Sequence, residues 1–404
     1  MRRFHQRADL SRIHSIAELA DVAKRRLPYF AWEYLSGGAE QELTLADNRS
    51  AFSRYGLHAR SMVPCAAPDL SARFMGKEMP TPMAIGPTGY NGLLHRDADI
   101  HLARAATARG LPFCLSTVAT NSLEEVAAAI PEGELWYQLY AMRDAQVQDD
   151  LLRRAAQVGC QTLVLTCDAM VLGNREWDRR CFARSRELSL RNKLDVLRHP
   201  RWLKQVMWPH GLPGMGNLNP YLPVKERTAL GSVRFIGEQM DNLLDWDMLA
   251  RLRDQWQGRL LLKGVLHAED VELAIGLGLD GVIISNHGGR QLDGALSSLA
   301  ALAAIAPSAK GRIGLLLDSG IRRGSDIVKA MALGADGVLL GRATLYGVAV
   351  AGEAGAGRAL DLLDQELKLA LNLMGCPALN QLSPDWLFER HGSPSDSGNK
   401  YEIV

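Results

Sequence analysis

Eight short apolar runs, each followed by a stretch of helical spacing, constrain this chain more than any other feature. They are PMAIGP (82–87), PFCLS (112–116), LWYQLY (135–140), TLVLTCD (162–168), RLLLKG (259–264), GVIISN (281–286), IGLLLDS (313–319) and GVLLG (337–341). Continuous hydrophobics of that length read as strands buried on both faces. Between most of them lie helix-like segments such as RDADIHLARAATARG, DAQVQDDLLRRAAQVG, AEDVELAIGLG and RGSDIVKAMALGAD. Buried strands alternating with amphipathic helices make parallel βα units, and eight of them in about 260 residues suit a closed (β/α)8 TIM barrel. A doubly wound sheet would usually use fewer strands. The expected fold is therefore an α/β barrel over 81–385.

Two regions break the beat. Residues 1–80 precede the first run and carry SIAELADVAKRRL and PYFAWEYLSGGA, which predict an N-terminal helical extension packed on the barrel. Residues 179–232 form a long insertion after strand 4, where a short connection would suffice; such loops are usually functional or disordered. The polar tail SPSDSGNKYEIV, 393–404, reads as disordered.

Composition mainly excludes. A formal net charge of +1 over 404 residues gives no global reason to bind nucleic acid. Six cysteines with no CxxC pair suggest reduced residues in a cytoplasmic protein, with neither a disulfide frame nor a metal site. No apolar h-region follows the basic N-terminus, and no apolar run is long enough to cross a bilayer.

In a barrel the site forms where strands end. The ends here supply Pro87, Thr88 and Gly89; Ser116 and Thr117; Gln138 and Tyr140; Thr166, Asp168 and, slightly later, Arg175; Lys263; Ser285, Asn286, His287 and Arg290; Asp318, Arg322 and Arg323; and Gly341 and Arg342. So many polar groups at one mouth point to catalysis. DSGIRRGSD and LGRATLYG, after the last two strands, place glycines and arginines where barrels often bind phosphate. His287 alone reads most simply as structural. Asp168, however, could reach its ring across the mouth, orient it and stabilise its protonated form, as a general base needs. Arg175, Arg290 and Tyr140 could then hold an anionic substrate, with arginine suited to a carboxylate.

The segments KGVLHAED, SNHGGRQLD, DSGIRRGSDIVKAMALGADGVLLGR and YLSGGAEQELTLADNR resemble the FMN-dependent 2-hydroxy-acid dehydrogenases and oxidases, over about residues 15–385. The resemblance implies an FMN cofactor and oxidation of a 2-hydroxy acid to the 2-keto acid. It makes His287 the base, polarised by Asp168. Arg175 and Arg290 would bind the carboxylate, with Tyr34 and Tyr140 hydrogen-bonding carboxylate and hydroxyl. Lys263 would sit near flavin N1/O2. Pro87, Thr88, Gly89, Ser116, Gln138, Thr166 and Ser285 would line the isoalloxazine and ribityl chain. Asp318, Arg322, Gly341 and Arg342 would hold the ribityl and phosphate. Relatives are commonly homotetramers.

Finer features bear on substrate and acceptor. Val118 stands where glycolate-oxidising members typically carry a bulky aromatic, and Gly89 and GPTGYNG are similar to the mandelate-oxidising members. A bulky or aromatic (S)-2-hydroxy acid is expected. Within the insertion, Arg179, Arg180, Arg184, Arg186, Arg191, Lys193, Arg198, Arg201 and Lys204 face only Glu187 and Asp195, interleaved with Leu197, Trp202, Leu203, Val206, Met207 and Trp208. Such a stretch suits a membrane interface. In membrane-bound relatives it implies electron delivery to a quinone and peripheral attachment to the inner face of the cytoplasmic membrane. The alternatives are a solvated lid, an oxidase that reduces O2 to peroxide, and, from another class, a non-redox barrel for a phosphorylated ligand.

Overall fold

The computed structural model describes residues 9–181, 188–209, 211–240 and 244–390. The tail at 393–404 lies outside them, as do Arg184, Arg186 and Glu187 of the insertion. All eight apolar runs form strands: β1 (Met83–Ile85), β2 (Phe113–Ser116), β3 (Leu135–Tyr140), β4 (Thr162–Thr166), β5 (Arg259–Val265), β6 (Gly281–Ile284), β7 (Gly314–Leu317) and β8 (Gly337–Leu340). They pair in parallel, each with the next, and β8 pairs with β1 to close the barrel.

Alternation along each strand separates two apolar layers. Ala84, Cys114, Trp136, Val164, Leu261, Ile283, Leu316 and Leu339, one from each strand, form a cluster of their own with Met79 inside the barrel. Their neighbours, such as Ile85, Leu115, Tyr137 and Val282, join the larger core beneath the helices. The hairpin of Ala72–Phe74 with Lys77–Met79 stops the N-terminal end of the barrel, where Ala72 and Met75 pack on the inner cluster. Arg259, at the start of β5, donates to the Met75 carbonyl at 2.6 Å. This hairpin was not legible in the sequence, because three-residue strands are too short to show a period of two. All six cysteines are free.

Both expected N-terminal helices are present, α1 (Ile16–Arg26) and α2 (Tyr29–Ser36), with a third, α3 (Leu43–Ser50). The Ser15 hydroxyl caps α1 by accepting from the Glu18 N–H at 3.2 Å. Ile16, Leu19, Val22 and Ala23 form its buried stripe. That stripe packs on the long C-terminal helix Arg342–Met374, which bends at Ala351–Gly352. The start of α3 is held by Asp293, whose carboxylate accepts from the N–H groups of Gln41, Leu43 and Thr44. Asn48 and Asn286 exchange amide hydrogen bonds of 2.8 Å. Both ties run to the loop after β6, so α3 is strapped to the barrel mouth.

The insertion splits into two parts. Leu190–Leu197 is a helix, followed by the turn Pro200–Trp202 and the wider turn Leu203–Met207. Ala229–Gln239 then returns the chain towards the barrel. Trp202 and Val206, read in the sequence with a surface stretch, are buried instead. Trp202 Nε1 donates to the Leu93 carbonyl at 2.8 Å, and its ring meets Phe30 edge-on. Leu190, Leu194 and Leu197, spaced i, i+4, i+7, stay exposed, as does Trp208. Among the described residues no helix is long and apolar enough to cross a membrane.

Candidate active site

The polar mouth follows from strand period. Two residues beyond the inner apolar layer, on the same face of each strand, stand Gly86, Ser116, Gln138, Thr166, Lys263, Ser285, Asp318 and Gly341. Of this ring, Gly86, Ser116, Lys263, Asp318 and Gly341 line a cavity of about 350 Å³ at the C-terminal end of the barrel. Of the residues assigned to a flavin, Pro87, Thr88, Gly89, Ser116 and Lys263 line it, as do Asp318, Arg322, Gly341 and Arg342. Gln138, Thr166 and Ser285 are buried but do not line the cavity.

His287 follows β6 in a left-handed conformation (φ 58°), and Gly288 and Gly289 continue it (φ 67° and 73°). Glycine adopts this backbone readily; for histidine it is strained by about 1–2 kcal/mol, so the loop imposes it. Gly289 is also sterically required, because a Cβ there would lie 2.6 Å from the Leu45 nitrogen. The turn presents His287 to Asp168, with Nδ1 2.9 Å from Oδ1. Nε2 is then the ring nitrogen left to take a proton. Burial lowers the imidazole pKa below its ordinary value of 6.5, and Lys263 and Arg175 add to this against the raising effect of Asp168. The ring therefore rests neutral at pH 7, as a base must. Burial alone would raise the Asp168 carboxyl, but His287 and Lys263 outweigh it and hold the pKa below the usual carboxylate range.

Asp168 is placed by Gly264, at the irregularity in β5 (φ 104°). A Cβ at 264 would lie 2.6 Å from the Cβ and Cγ of Asp168. Gly264→Ala is expected to push the carboxylate off His287, lowering kcat at least tenfold with a stability loss of about 1–3 kcal/mol. Steady-state kinetics and denaturant unfolding check this. Wild-type kcat in a destabilised variant would show that catalysis tolerates the shift.

Lys263 is buried, donating to Ser285 Oγ at 2.9 Å and lying 3.2 Å from Asp318. Burial pushes its pKa down, but Asp318, Asp168 and Tyr140 push it up further, so it stays an ammonium. It is therefore not a surface lysine.

Arg175 and Arg290 line the cavity beside Tyr34 and Tyr140. Arg290 donates through Nη1 to the carbonyls of Tyr34 and Gly37, both at 2.8 Å, and lies over the Tyr34 ring. Its Nη2 is 3.6 Å from Asp178. Burial and Arg175 together bring its pKa down to about 10, as expected of two cations awaiting an anion. The Tyr34 hydroxyl donates to Gly89 O at 3.0 Å. Burial, then Asp168, raises the Tyr140 phenol to about 12, which keeps it a hydrogen-bond donor.

Sequence reasoning missed Gln291 and Asp178. Gln291 donates to the carbonyls of Asp168 and Val171 and accepts from the Gly173 N–H and Arg175, fixing the loop after β4. Its place just after His287–Arg290 was the available signal.

The far end of the cavity suits a phosphate. Gly341 is the N-cap of the helix Arg342–Met374, and Gly341, Arg342 and Leu345 line the cavity, so the helix begins at its wall. A Cβ at Gly341 would meet only Thr88, at 3.7 Å, so the protein leaves room there. Arg322 lines this end. Arg342 is more occupied than expected, donating to the carbonyls of Leu35, Gly288 and Gly37. Two of its five N–H groups remain for a ligand. In the same ring of strand-end residues, buried Gln138 Nε2 has no partner among the described residues. The residues therefore fit FMN: a polar ring with an unused donor, a buried ammonium, and a helix terminus with arginines for the phosphate.

Comparison with known proteins agrees. The model of the family described as FMN-dependent dehydrogenase matches residues 23–389. (S)-Mandelate dehydrogenase of Pseudomonas putida is 41% identical over 377 residues, covering 93% of this chain and 94% of the relative. L-Lactate dehydrogenase of Ectopseudomonas mendocina (strain ymp) is 40% identical over 371 residues, covering 91% and 96%. The crystal structure of the monotopic membrane protein (S)-mandelate dehydrogenase matches with a TM-score of 0.89 and 41% identity, covering 94% of this chain and 100% of that one.

Proposed function

This chain belongs to the FMN-dependent dehydrogenases and is an FMN-dependent 2-hydroxy-acid dehydrogenase; from that premise we propose that its substrate is a bulky, mandelate-like (S)-2-hydroxy acid. Membership removes the non-redox alternative. The observation that carries the substrate reading is the wall of the cavity beyond the two arginines. Val118, Ala169, Leu172, Met215, Val233 and Ile236 line it, without a charged group among them. Leu172 and Val233 are exposed into this space, so an apolar substituent would bury surface there. Relatives of this similarity act on mandelate and on lactate by name, and the apolar lining that includes Val118 favours the former.

In the mechanism, Arg175 and Arg290 hold the carboxylate, and Tyr34 and Tyr140 orient it and the hydroxyl. His287 Nε2 takes the substrate proton, and Asp168 stabilises the resulting imidazolium. Bound FMN supplies a two-electron acceptor. Lys263 holds positive charge at the cavity floor, and the apolar wall excludes water.

The reading is tested by anaerobic bleaching of the flavin band with glycolate, L-lactate, both mandelate enantiomers and a long-chain hydroxy acid. Fast bleaching by (S)-mandelate supports it; bleaching by glycolate or lactate alone overturns the substrate. Val118→Trp is expected to cut kcat/KM for (S)-mandelate about 10²-fold while sparing L-lactate, because an indole would fill the space of the phenyl. Equal loss for both acids would dissociate Val118 from selectivity.

The acceptor is a quinone reached at a membrane surface, and the enzyme is peripheral on the inner face of the cytoplasmic membrane. The exposed Leu190, Leu194 and Leu197 stripe and Trp208, flanked by Arg191, Arg198, Arg201 and Lys204, support that reading; so does a relative described as monotopic. A homotetramer is the assembly proposed. Peroxide formed in proportion to turnover would replace this with an oxidase.

A further inference from the structure

A second cavity, of about 680 Å³, shares no lining residue with the catalytic one and is lined by Arg26, Arg96, Asp97, Arg201, Lys204 and Trp208 among others. Its residues come from three separate parts of the chain. Arg26 closes α1, the 95–101 segment follows β1, and 201–208 belongs to the insertion. Arg96 Nη2 donates to the Trp208 carbonyl at 2.9 Å, fastening the insertion to the loop after β1. His95 and His101 stack edge-to-face with ring centroids 5.0 Å apart, and Gln205 reaches His95 Nε2 at 3.3 Å.

The charge in this cavity is unbalanced. Among the described residues that line it, four are arginine or lysine and Asp97 is the one carboxylate. Among the described residues none of Arg26, Arg96, Arg201 and Lys204 forms an ion pair. Arg26 is partly buried, and burial, then the nearby Arg201, lowers its pKa. Arg26 is half-buried and Arg201 exposed, and both line the cavity, so like charges meet there unless an anion joins them. His101 Nδ1 is buried with no hydrogen-bond partner. None of these residues serves the reaction at the barrel mouth. The cavity also sits beside exposed Trp208, in the same segment as the Leu190, Leu194 and Leu197 stripe.

We propose that this cavity binds a phosphate group, presented by the headgroup of an anionic phospholipid, and so fixes how the insertion seats on a bilayer. Arg26 and Arg201 grip the phosphate oxygens, Lys204 adds charge, and Trp208 lies at the level of the headgroups. Arginine pairs give phosphate directional, charge-assisted hydrogen bonds, which a diffuse basic patch does not. The proposal rests on the membrane reading above, so its test separates the two.

FMN-loaded protein, with the phosphate end of the main cavity filled, is sedimented with vesicles of phosphatidylcholine alone or mixed with phosphatidylglycerol. The expected result is salt-sensitive binding that needs phosphatidylglycerol. Arg26→Gln with Arg201→Gln should weaken it about thirtyfold, at about fivefold per basic group lost near an anionic surface. Arg191→Gln with Arg198→Gln removes the same charge from exposed helix positions and should weaken it clearly less. Equal losses in the two double variants would reduce the effect to net charge and overturn the site. Vesicle binding unchanged in the Arg26/Arg201 variant would overturn the site while leaving membrane attachment standing. Inorganic phosphate, titrated against the same holoenzyme by thermal shift, gives the second arm. Stabilisation that disappears in the Arg26/Arg201 variant, without vesicle binding, would keep the site, assign it to free phosphate and remove the membrane reading. No response to vesicles or phosphate would remove both. Turnover with a soluble acceptor should be unchanged in either double variant.

Discussion

His287→Asn is expected to lower kcat by about 10³–10⁴-fold while the protein still purifies with its flavin. Asparagine suits the test because it tolerates the left-handed backbone that position 287 imposes, so folding strain does not confound the result. The size follows from what the imidazole does. Asp168 occupies Nδ1, so Nε2 is the acceptor, and the charge that develops on protonation is met by a buried carboxylate 2.9 Å away. The pH profile gives an independent check. The His287 pKa is depressed below 6.5, so kcat/KM should hold at neutral pH and fall only as pH drops through that lower value and the base becomes protonated. Asp168→Asn removes an interaction that raises the His287 pKa, so its acid limb should move further down even as the rate falls. Stopped-flow bleaching of the flavin by (S)-mandelate reads both effects. Near-normal bleaching in His287→Asn, or an acid limb above pH 6.5 in the wild type, would remove His287 as the base.

Much of this site was legible because a barrel converts strand period into position. Apolar residues such as Cys114, Val164, Leu261 and Leu316 point inward, and two residues later the same face carries Ser116, Thr166, Lys263 and Asp318. An eight-strand count therefore gave both the fold and the floor of the pocket. His287 and Asp168 could be paired for the same reason, since both follow inward-facing strand ends on one mouth. What escaped detection depends on contacts between segments far apart in sequence. Nothing local to Asp293 says that it caps α3, some 250 residues away. Gln291 reads as an ordinary polar loop residue until its four partners are seen. The insertion was misread in part because its aromatic residues were treated as one set. Trp202 turns inward against Phe30, while Trp208, six positions on, faces out. Arginines were the least legible, as Arg342 shows. It lies in the expected loop, yet most of its hydrogen bonds tie α2 to the mouth.

Lys263→Met should weaken FMN binding, lower kcat about 10²-fold or more, and move the acid limb of kcat/KM to higher pH. Methionine replaces the chain nearly isosterically, so the change is one of charge rather than volume. In the wild type the ammonium lies 3.2 Å from Asp318 and within electrostatic reach of Asp168. Without it, the carboxylates of Asp318 and Asp168, 16% and 13% exposed, lose the cation that faces them. Leaving a buried charge uncompensated costs about 3–5 kcal/mol, which unfolding of the flavin-free protein by denaturant should register. Losing a group that stabilises charge formed in the reaction typically lowers kcat by about 10²–10³-fold. The pH shift separates this role from a merely structural one. Lys263 lowers the His287 pKa, so its removal raises that pKa, protonates the base at higher pH and moves the limb upward. Asp168→Asn moves the limb the opposite way, and a general loosening of the pocket would have no reason to produce opposite shifts from two neighbours of one histidine. A Lys263→Met enzyme whose acid limb stays in place, or which keeps wild-type kcat and flavin affinity, would show that the buried ammonium only holds the floor together.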